Sequence, residues 1–317
     1  MAMNRIQFQA GLSLPAFLEH YGTEAQCEAA LELARWADGF RCPACGEAAH
    51  YVLKGKTHKS FQCQGCRLQT SLIAGTLFQS THLALTVWFL AIYLVSQAKT
   101  GVSALALKRQ LGVSYPTAWL IQQKLMQAMS ERDTLYTLHG NVQVDDAYLG
   151  GERVGGKAGR GSENKVPFVA AVSLNAKGHP MYLKMAPVSG FSRKAIVEWA
   201  KQDLSPDCLV ISDGLSCFTG VLDAGCQHQA IIAGGRKPKD IPEFTWINTL
   251  LGNLKTSLGG AYHAFNFAKY GTRYLSAFVY RFNRRFHLDT LPMHLLVAAV
   301  TIRPRPATWL RQAEESC

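Results

Sequence analysis

The chain has 317 residues, 48% of them apolar, and 33 Lys and Arg against 22 Asp and Glu. That length and apolar content exclude a disordered chain and imply two or three domains. The net charge of +11, at a pI near 9.3, argues for a polyanionic partner, of which nucleic acid is the simplest.

The opening MAMNRIQFQAGLSLPAF lacks a continuous apolar run, so no secretory signal is expected. Nine cysteines, four of them in two CxxC pairs, fit a reducing cytoplasm and a metal rather than disulfides. Cys27, Cys208, Cys217, Cys226 and Cys317 have no partner spacing and read as ordinary thiols.

Thr23-Glu24-Ala25-Gln26 is a capping box and opens a helix that runs to about Trp36. Next come Cys42, Cys45, Cys63 and Cys66, with 17 residues between the two pairs. Each CxxC forms a knuckle that aims two thiolates at one ion, and four thiolates close a structural tetrahedral Zn²⁺ site. The segment between the pairs suits short hairpin strands, and its His50 and His58 are not needed as ligands. Leu83 to Val95 (LALTVWFLAIYLV) is too short to span a bilayer and reads as part of a buried helix, Leu83 to Ser96. Ser103 to Leu111, ended by Gly112, is a second helix. A third starts at the N-cap Ser114 and runs through Met129, with Ala118, Ile121, Leu125 and Met129 as its apolar stripe. The pair outlines a helix-turn-helix in which Lys108, Arg109, Gln122, Gln123 and Lys124 are expected to face DNA. A plain helical hairpin has the same pattern.

From Asn141 the pattern turns to strands: Asn141 to Leu149, Val166 to Ser173 and Pro180 to Met185, then a helix over Ser192 to Gln202, then the strand Cys208 to Ser212. Asp145 and Asp146 lie on the first strand and Asp213 follows the last. Alternation sends Asp145 and Asp146 to opposite faces, and parity does not say which one points into a site. The Gly-rich loop GGERVGGKAGRGSENK offers Lys157, Arg160 and Lys165 to phosphates. In FTWINTLLGNLK, Asn248 and Lys255 stand seven residues apart and share one helical face. KYGTRYLSAFVYRFNRR places Arg273, Arg281, Arg284 and Arg285 among aromatics, as a basic track along DNA with Phe278 and Phe282 toward the core.

RWADGFRCPACG, FQCQGCRLQTSLIAGTLF, VDDAYLGG, SDG, WINTLLGNLKTSLGGAYHAF and YRFNRRF together resemble bacterial insertion-sequence transposases with an N-terminal zinc ribbon and an RNase H-like core of the DDE type. The resemblance covers nearly the whole chain. It implies a multidomain α+β fold: helix plus zinc ribbon over 1–80, a helix-turn-helix-like segment over 81–135, an α/β RNase H-like catalytic domain over 138–300, and a tail over 301–317. It selects Asp145 as first acidic ligand and Asp213 as second. At the third position, usually glutamate, stands Asn248, followed by Lys255, as in part of that family. These residues, with Mg²⁺ or Mn²⁺, imply DNA strand cleavage and transfer on the element's terminal repeats. The partners implied are double-stranded DNA, both element ends and target, and further copies of the chain in a homo-oligomer; no membrane is involved. Glu243, five residues before Asn248 and after Pro242, is out of register as a substitute ligand. A transposase-derived DNA-binding protein without catalysis is the alternative. A nuclease of RNase H type shares the site but leaves the ribbon and helical front unexplained.

Overall fold

The computed structural model describes residues 10–55, 58–150, 165–232, 234–236, 241–262 and 265–312. The chain forms two units. The first takes in the described residues up to Ala98, Val102–Met129 and Arg284–Arg311; the second takes in Lys99–Gly101 and the described part of Ser130–Asn283.

In the first unit, α1 (Leu14–Tyr21) starts at Ser13, whose hydroxyl accepts from the Ala16 amide at 3.2 Å. The capping box at Thr23 forms and opens α2 (Glu24–Arg35). Arg35 ends α2 over the Trp36 ring and donates to the carbonyls of Ser71, Leu72 and Ala74. It thereby fixes the far end of a three-stranded antiparallel ribbon, β1 (His50–Leu53), β2 (Ser60–Cys63) and β3 (Gln69–Ser71). The Glu24 carboxylate accepts from the amides of Leu85 and Thr86, at 2.8 and 3.1 Å, and so caps α3 (Leu85–Gln97). α4 (Ala104–Leu111) has Ser103 as N-cap and Gly112 in the left-handed conformation as C-cap. α5 starts where the Ser114 cap predicts but runs on to Asp133 (Tyr115–Asp133), its last turn lying in the second unit.

The second unit is a five-stranded sheet in the order β6-β5-β4-β7-β8. β4 (Asn141–Leu149), β5 (Val166–Leu174) and β6 (Pro180–Pro187) form an antiparallel meander. α6 (Arg193–Asp203), capped by Ser192, leads to β7 (Leu209–Ser212), which lies parallel to β4. A 3-10 helix, Ser216–Ala224, then leads to β8 (Gln227–Ala230), parallel to β7. α7 (Thr245–Ser257) and α8 (Phe267–Asn283) follow. This is the RNase H-like arrangement that the resemblance implied. Strand alternation divides the core. Val142, Val144, Val169 and Val210 meet Ile196, Trp199 and Ala200 of α6 on one face. On the other face Leu149, Phe168, Ala170 and Val172 meet Ile247, Leu250, Leu251 and Leu254 of α7 and Leu275 and Val279 of α8. After Asn283 the chain returns to the first unit with α9 (Leu291–Thr301) and α10 (Ala307–Leu310). The second unit thus ends earlier than the boundary at 300 drawn from sequence, because residues beyond 283 pack with α2 and α3.

On the α6 face lies a buried ion pair. Lys184 of β6 is 3.1 Å from Asp203 at the end of α6 and donates to the Asp133 carbonyl at 2.9 Å. Burial pushes the Asp203 carboxyl up, against the pull of Lys184. Lys184→Ala leaves Asp203 buried without its partner. It should destabilise the protein by about 3–5 kcal/mol, read from the urea midpoint. Lys184→Met with Asp203→Leu should recover most of that loss.

Candidate functional site

Two clusters of metal-ligating side chains occur among the described residues, one in each unit. In the first, the thiols of Cys42, Cys45, Cys63 and Cys66 lie within 4.8 Å of one another. Cys42 and Cys66 are 3.5 Å apart, as are Cys45 and Cys63. A tetrahedral ZnS₄ shell places its sulfurs about 3.8 Å apart, so the four fit Zn²⁺. The knuckles have the same backbone. Cys42 N–H donates to Glu47 and Gly46 N–H to Cys42; Cys63 N–H donates to Leu68 and Arg67 N–H to Cys63. Gly46 (φ 75°) and Arg67 (φ 64°) hold the same left-handed position. Each knuckle supplies one buried thiol, Cys42 or Cys63, and one exposed, Cys45 or Cys66. Four thiolates fill the shell and leave no open position for catalysis.

The second cluster is made by the sheet. β4 and β7 pair in parallel as Asn141↔Leu209, Val142↔Val210 and Gln143↔Ile211, a constant offset of 68. Two residues on, the same offset sets Asp145 beside Asp213. Alternation puts Asp145 on the face of Gln143, whose side-chain oxygen accepts from the Ile247 amide of α7 at 3.1 Å. The parity question is thereby settled: Asp145 is on the α7 face. Asp213 accepts from the Leu215 amide at 3.0 Å, and Gly214 (φ 87°) turns the chain away directly after it.

Asp146 corrects an expectation. It starts from the opposite face, yet its carboxylate lies within 4.8 Å of those of Asp145 and Asp213. β7 has ended at this level, so side chains from both faces of β4 can converge beside it. The Asp145 carboxyl is pushed up to about 7, first by burial, then by the charges of Asp146 and Asp213; the Asp146 amide and Lys255 pull the other way. Oxygen donors crowded this closely have the chemistry that a hard divalent cation requires.

α7 brings the remaining groups. Ile247, Leu250, Leu251 and Leu254 bury one stripe of the helix, which leaves Asn248 and Lys255 exposed. Both line a cavity of about 780 Å³ with Asp145, Asp146, Tyr148, Lys165 and Phe267. Glu243 lies in a 3-10 turn before α7 and is not among the residues lining this cavity.

The residues expected to contact DNA divide. Lys108 and Arg109 are exposed in the last turn of α4. Gln122 and Gln123 are buried, contrary to expectation, and so is Lys124. Gln122 donates to the Val102 carbonyl and Lys124 to that of Leu77. Residues 121–129 are buried all round, so the middle of α5 lacks the free face that a recognition helix needs; its exposed residues are Tyr115 and Pro116 in the first turn and Arg132 in the last. Arg281 is likewise buried, its guanidinium pKa pushed down by burial, and Arg273 is 1% exposed. Their stripe on α8 faces inward, and neither can track a DNA backbone as placed. Arg284 and Arg285 are half-buried, with Arg285 stacked over Phe286. Lys157 and Arg160 lie outside the described residues. Sequence reasoning missed Asp146 as a cluster member and Tyr148 and Phe267 as walls; only the adjacency in Asp145-Asp146 carried a signal for the first.

Comparison with known proteins agrees with this division. Residues 137–283 match the family model of the ISXO2-like transposase domain, and residues 22–69 that of the transposase zinc-ribbon domain. A stretch of 169 residues is 27% identical to an uncharacterized protein in transposable element ISH50 of Halobacterium salinarum, covering 52% of this chain and 53% of the relative. The chain thus spans about half the length of that curated relative. Among the described residues, no helix is long and apolar enough to cross a membrane.

Two outcomes are expected. Chelation, or Cys42→Ser, should unfold the ribbon. It should also change the emission of Trp36, whose ring packs on Phe61 and Phe40, as judged against a Trp36→Phe control. For Asp145, the folded-state pKa lies above its unfolded value of 3.8, so the folded state holds the extra proton between pH 4 and 7. Stability of the metal-free protein should therefore fall as pH rises through that window and level off above it. Asp145→Asn should flatten that slope in urea titrations.

Proposed function

The chain belongs to the IS1595-family transposases, which join an N-terminal zinc ribbon to a DDE-type catalytic domain, and we propose that it binds its element's terminal inverted repeats, cuts at their 3′ ends and joins those ends to target DNA. The observation that carries this reading is the register of β4 and β7, whose constant offset brings Asp145 and Asp213 within reach of each other, Asp145 also lining a cavity with Asn248 and Lys255.

Asp145, Asp213 and the side-chain oxygen of Asn248 would hold divalent cations, Mg²⁺ or Mn²⁺. When bound, such ions supply Lewis acidity and lower the pKa of attacking water. The chain's own groups do the rest. Cleavage displaces the 3′ oxygen from phosphorus by water; joining displaces a target-strand oxygen by the freed 3′ hydroxyl. Both are in-line displacements on a phosphodiester held in one place. Lys255 sets an ammonium against a phosphate oxygen there, as a point charge. Asn248 presents a neutral amide where a carboxylate would add a negative charge. That lowers the repulsion on an incoming phosphate and also the attraction for a cation. Lys108 and Arg109 would contact DNA phosphates from α4, outside the catalytic unit. Paired ends require more than one copy of the chain, hence a homo-oligomer on DNA.

The neutral amide of Asn248 also favours a second reading, a DNA-binding protein that no longer cuts. Cleavage and joining of a duplex bearing the element's end, with Mg²⁺ or Mn²⁺, decide between the two. Asp145→Asn and Asp213→Asn should bind that duplex and cut about 10³-fold less, a loss of several kcal/mol of transition-state stabilisation. Lys255→Ala should weaken binding and reduce the salt slope by about one. Wild type that binds but never cuts, while Asn248→Glu cuts, would establish the second reading.

A further inference from the structure

Beside the carboxylate cavity lies a second one, of about 400 Å³, lined by Tyr148, Lys165, Pro167, Ser189, Gly190, Phe191 and Leu215. It adjoins the cluster at three points. Tyr148 and Lys165 line both cavities. Leu215, a wall of the second, donates its amide to Asp213 at 3.0 Å. The two cavities therefore share a boundary at Tyr148 and Lys165.

The walls indicate the chemistry of that group. Tyr148 and Phe191 meet edge to face, with ring centroids 5.4 Å apart at 86°, and both are half-buried. Pro167 and Leu215 add apolar surface. The Ser189 hydroxyl, the Tyr148 hydroxyl and the peptide at Gly190, where no side chain screens the backbone, are polar groups of the lining. Lys165 brings a positive charge to the opening shared with the carboxylate site. Flat apolar walls with a few polar groups suit a planar ring with hydrogen-bonding edges, and the cation suits a polyanionic tether. The volume admits one nucleoside and no duplex.

We propose that this cavity receives a single unstacked nucleobase of the strand whose phosphodiester lies at Asp145 and Asp213. The proposal rests on the reading of that site as one for DNA cleavage. Taking one base out of the stack frees the adjoining backbone to reach carboxylates set at the end of a strand. The unstacking cost is repaid by contact with the aromatic walls. The polar groups of the lining are few, so the cavity tolerates more than one base.

The test uses the full-length protein and duplexes bearing the element's end, with 2-aminopurine substituted one position at a time within three base pairs of the cut. Binding by wild type should raise emission several-fold at one position. Phe191→Leu keeps an apolar side chain against the core but removes the flat wall. It should abolish that rise and slow cleavage roughly tenfold to hundredfold, the weight of one lost stack. An abasic site at the same position should make cleavage by wild type and by Phe191→Leu converge. Leu215→Trp, which fills the cavity and leaves the Tyr148 and Phe191 rings in place, should act like Phe191→Leu. Cutting by wild type without a bright position, or equal brightening by Phe191→Leu and Leu215→Trp, overturns the proposal alone. Brightening without cutting overturns the cleavage reading and leaves the base site standing. An end that is not bound at all overturns both.

Discussion

Parallel pairing of β4 with β7 is the constraint from which the second unit's chemistry follows. Two carboxylates distant in the chain become neighbours only because each continues a strand by the same number of residues. A slip by one residue would move Asp213 out of line with Asp145. The antiparallel meander on one side and β8 on the other hold β4 and β7 in register, and buried residues on both faces make a slip costly. The helices then act as supports. α7 buries one stripe and so presents the other, which carries Asn248 and Lys255, to a cavity that Asp145 and Asp146 of β4 also line.

Electrostatically, that end of the sheet is poised between opposite demands. Burial first, then the charges of Asp146 and Asp213, raise the proton affinity of Asp145, while the Asp146 amide and Lys255 oppose them. A cation and a phosphate each relieve part of this field. The zinc ribbon stands apart from this chemistry, its four sulfurs committed to one ion. It is tied to α2 by Arg35, whose guanidinium reaches three carbonyls beyond β3.

Much of this was legible in the sequence wherever a local rule acts alone. Thr23, Ser103 and Ser114 cap the helices they predict, and the alternating runs at 141–149 and 166–174 are strands. Asp145 lies within reach of Asp213 and lines one cavity with Asn248 and Lys255, an arrangement that periodicity alone could not have joined. Reading failed where partners decide. β8 (Gln-His-Gln-Ala) has no apolar alternation and exists because β7 offers it an edge. Gln122 and Gln123 are polar residues in the buried middle of a helix, and polarity in a sequence does not tell a solvated amide from one satisfied inside. Arg281 and Arg273 fail in the same way: an arginine within an aromatic stripe can turn inward as well as out. Asp146 escaped because alternation was applied as though β7 continued beside it.

The ribbon has an internal repeat: Cys42, Cys45, Gly46 and Glu47 recur as Cys63, Cys66, Arg67 and Leu68, each 21 positions on. Each half supplies one inner and one outer sulfur, so neither half can hold an ion by itself. Zinc bound across both halves is a staple between two points of the chain, and like a disulfide it restricts the unfolded ensemble more than it adds contacts. Unlike a disulfide, it closes without an oxidant and opens to protons, which compete for the same four sulfurs.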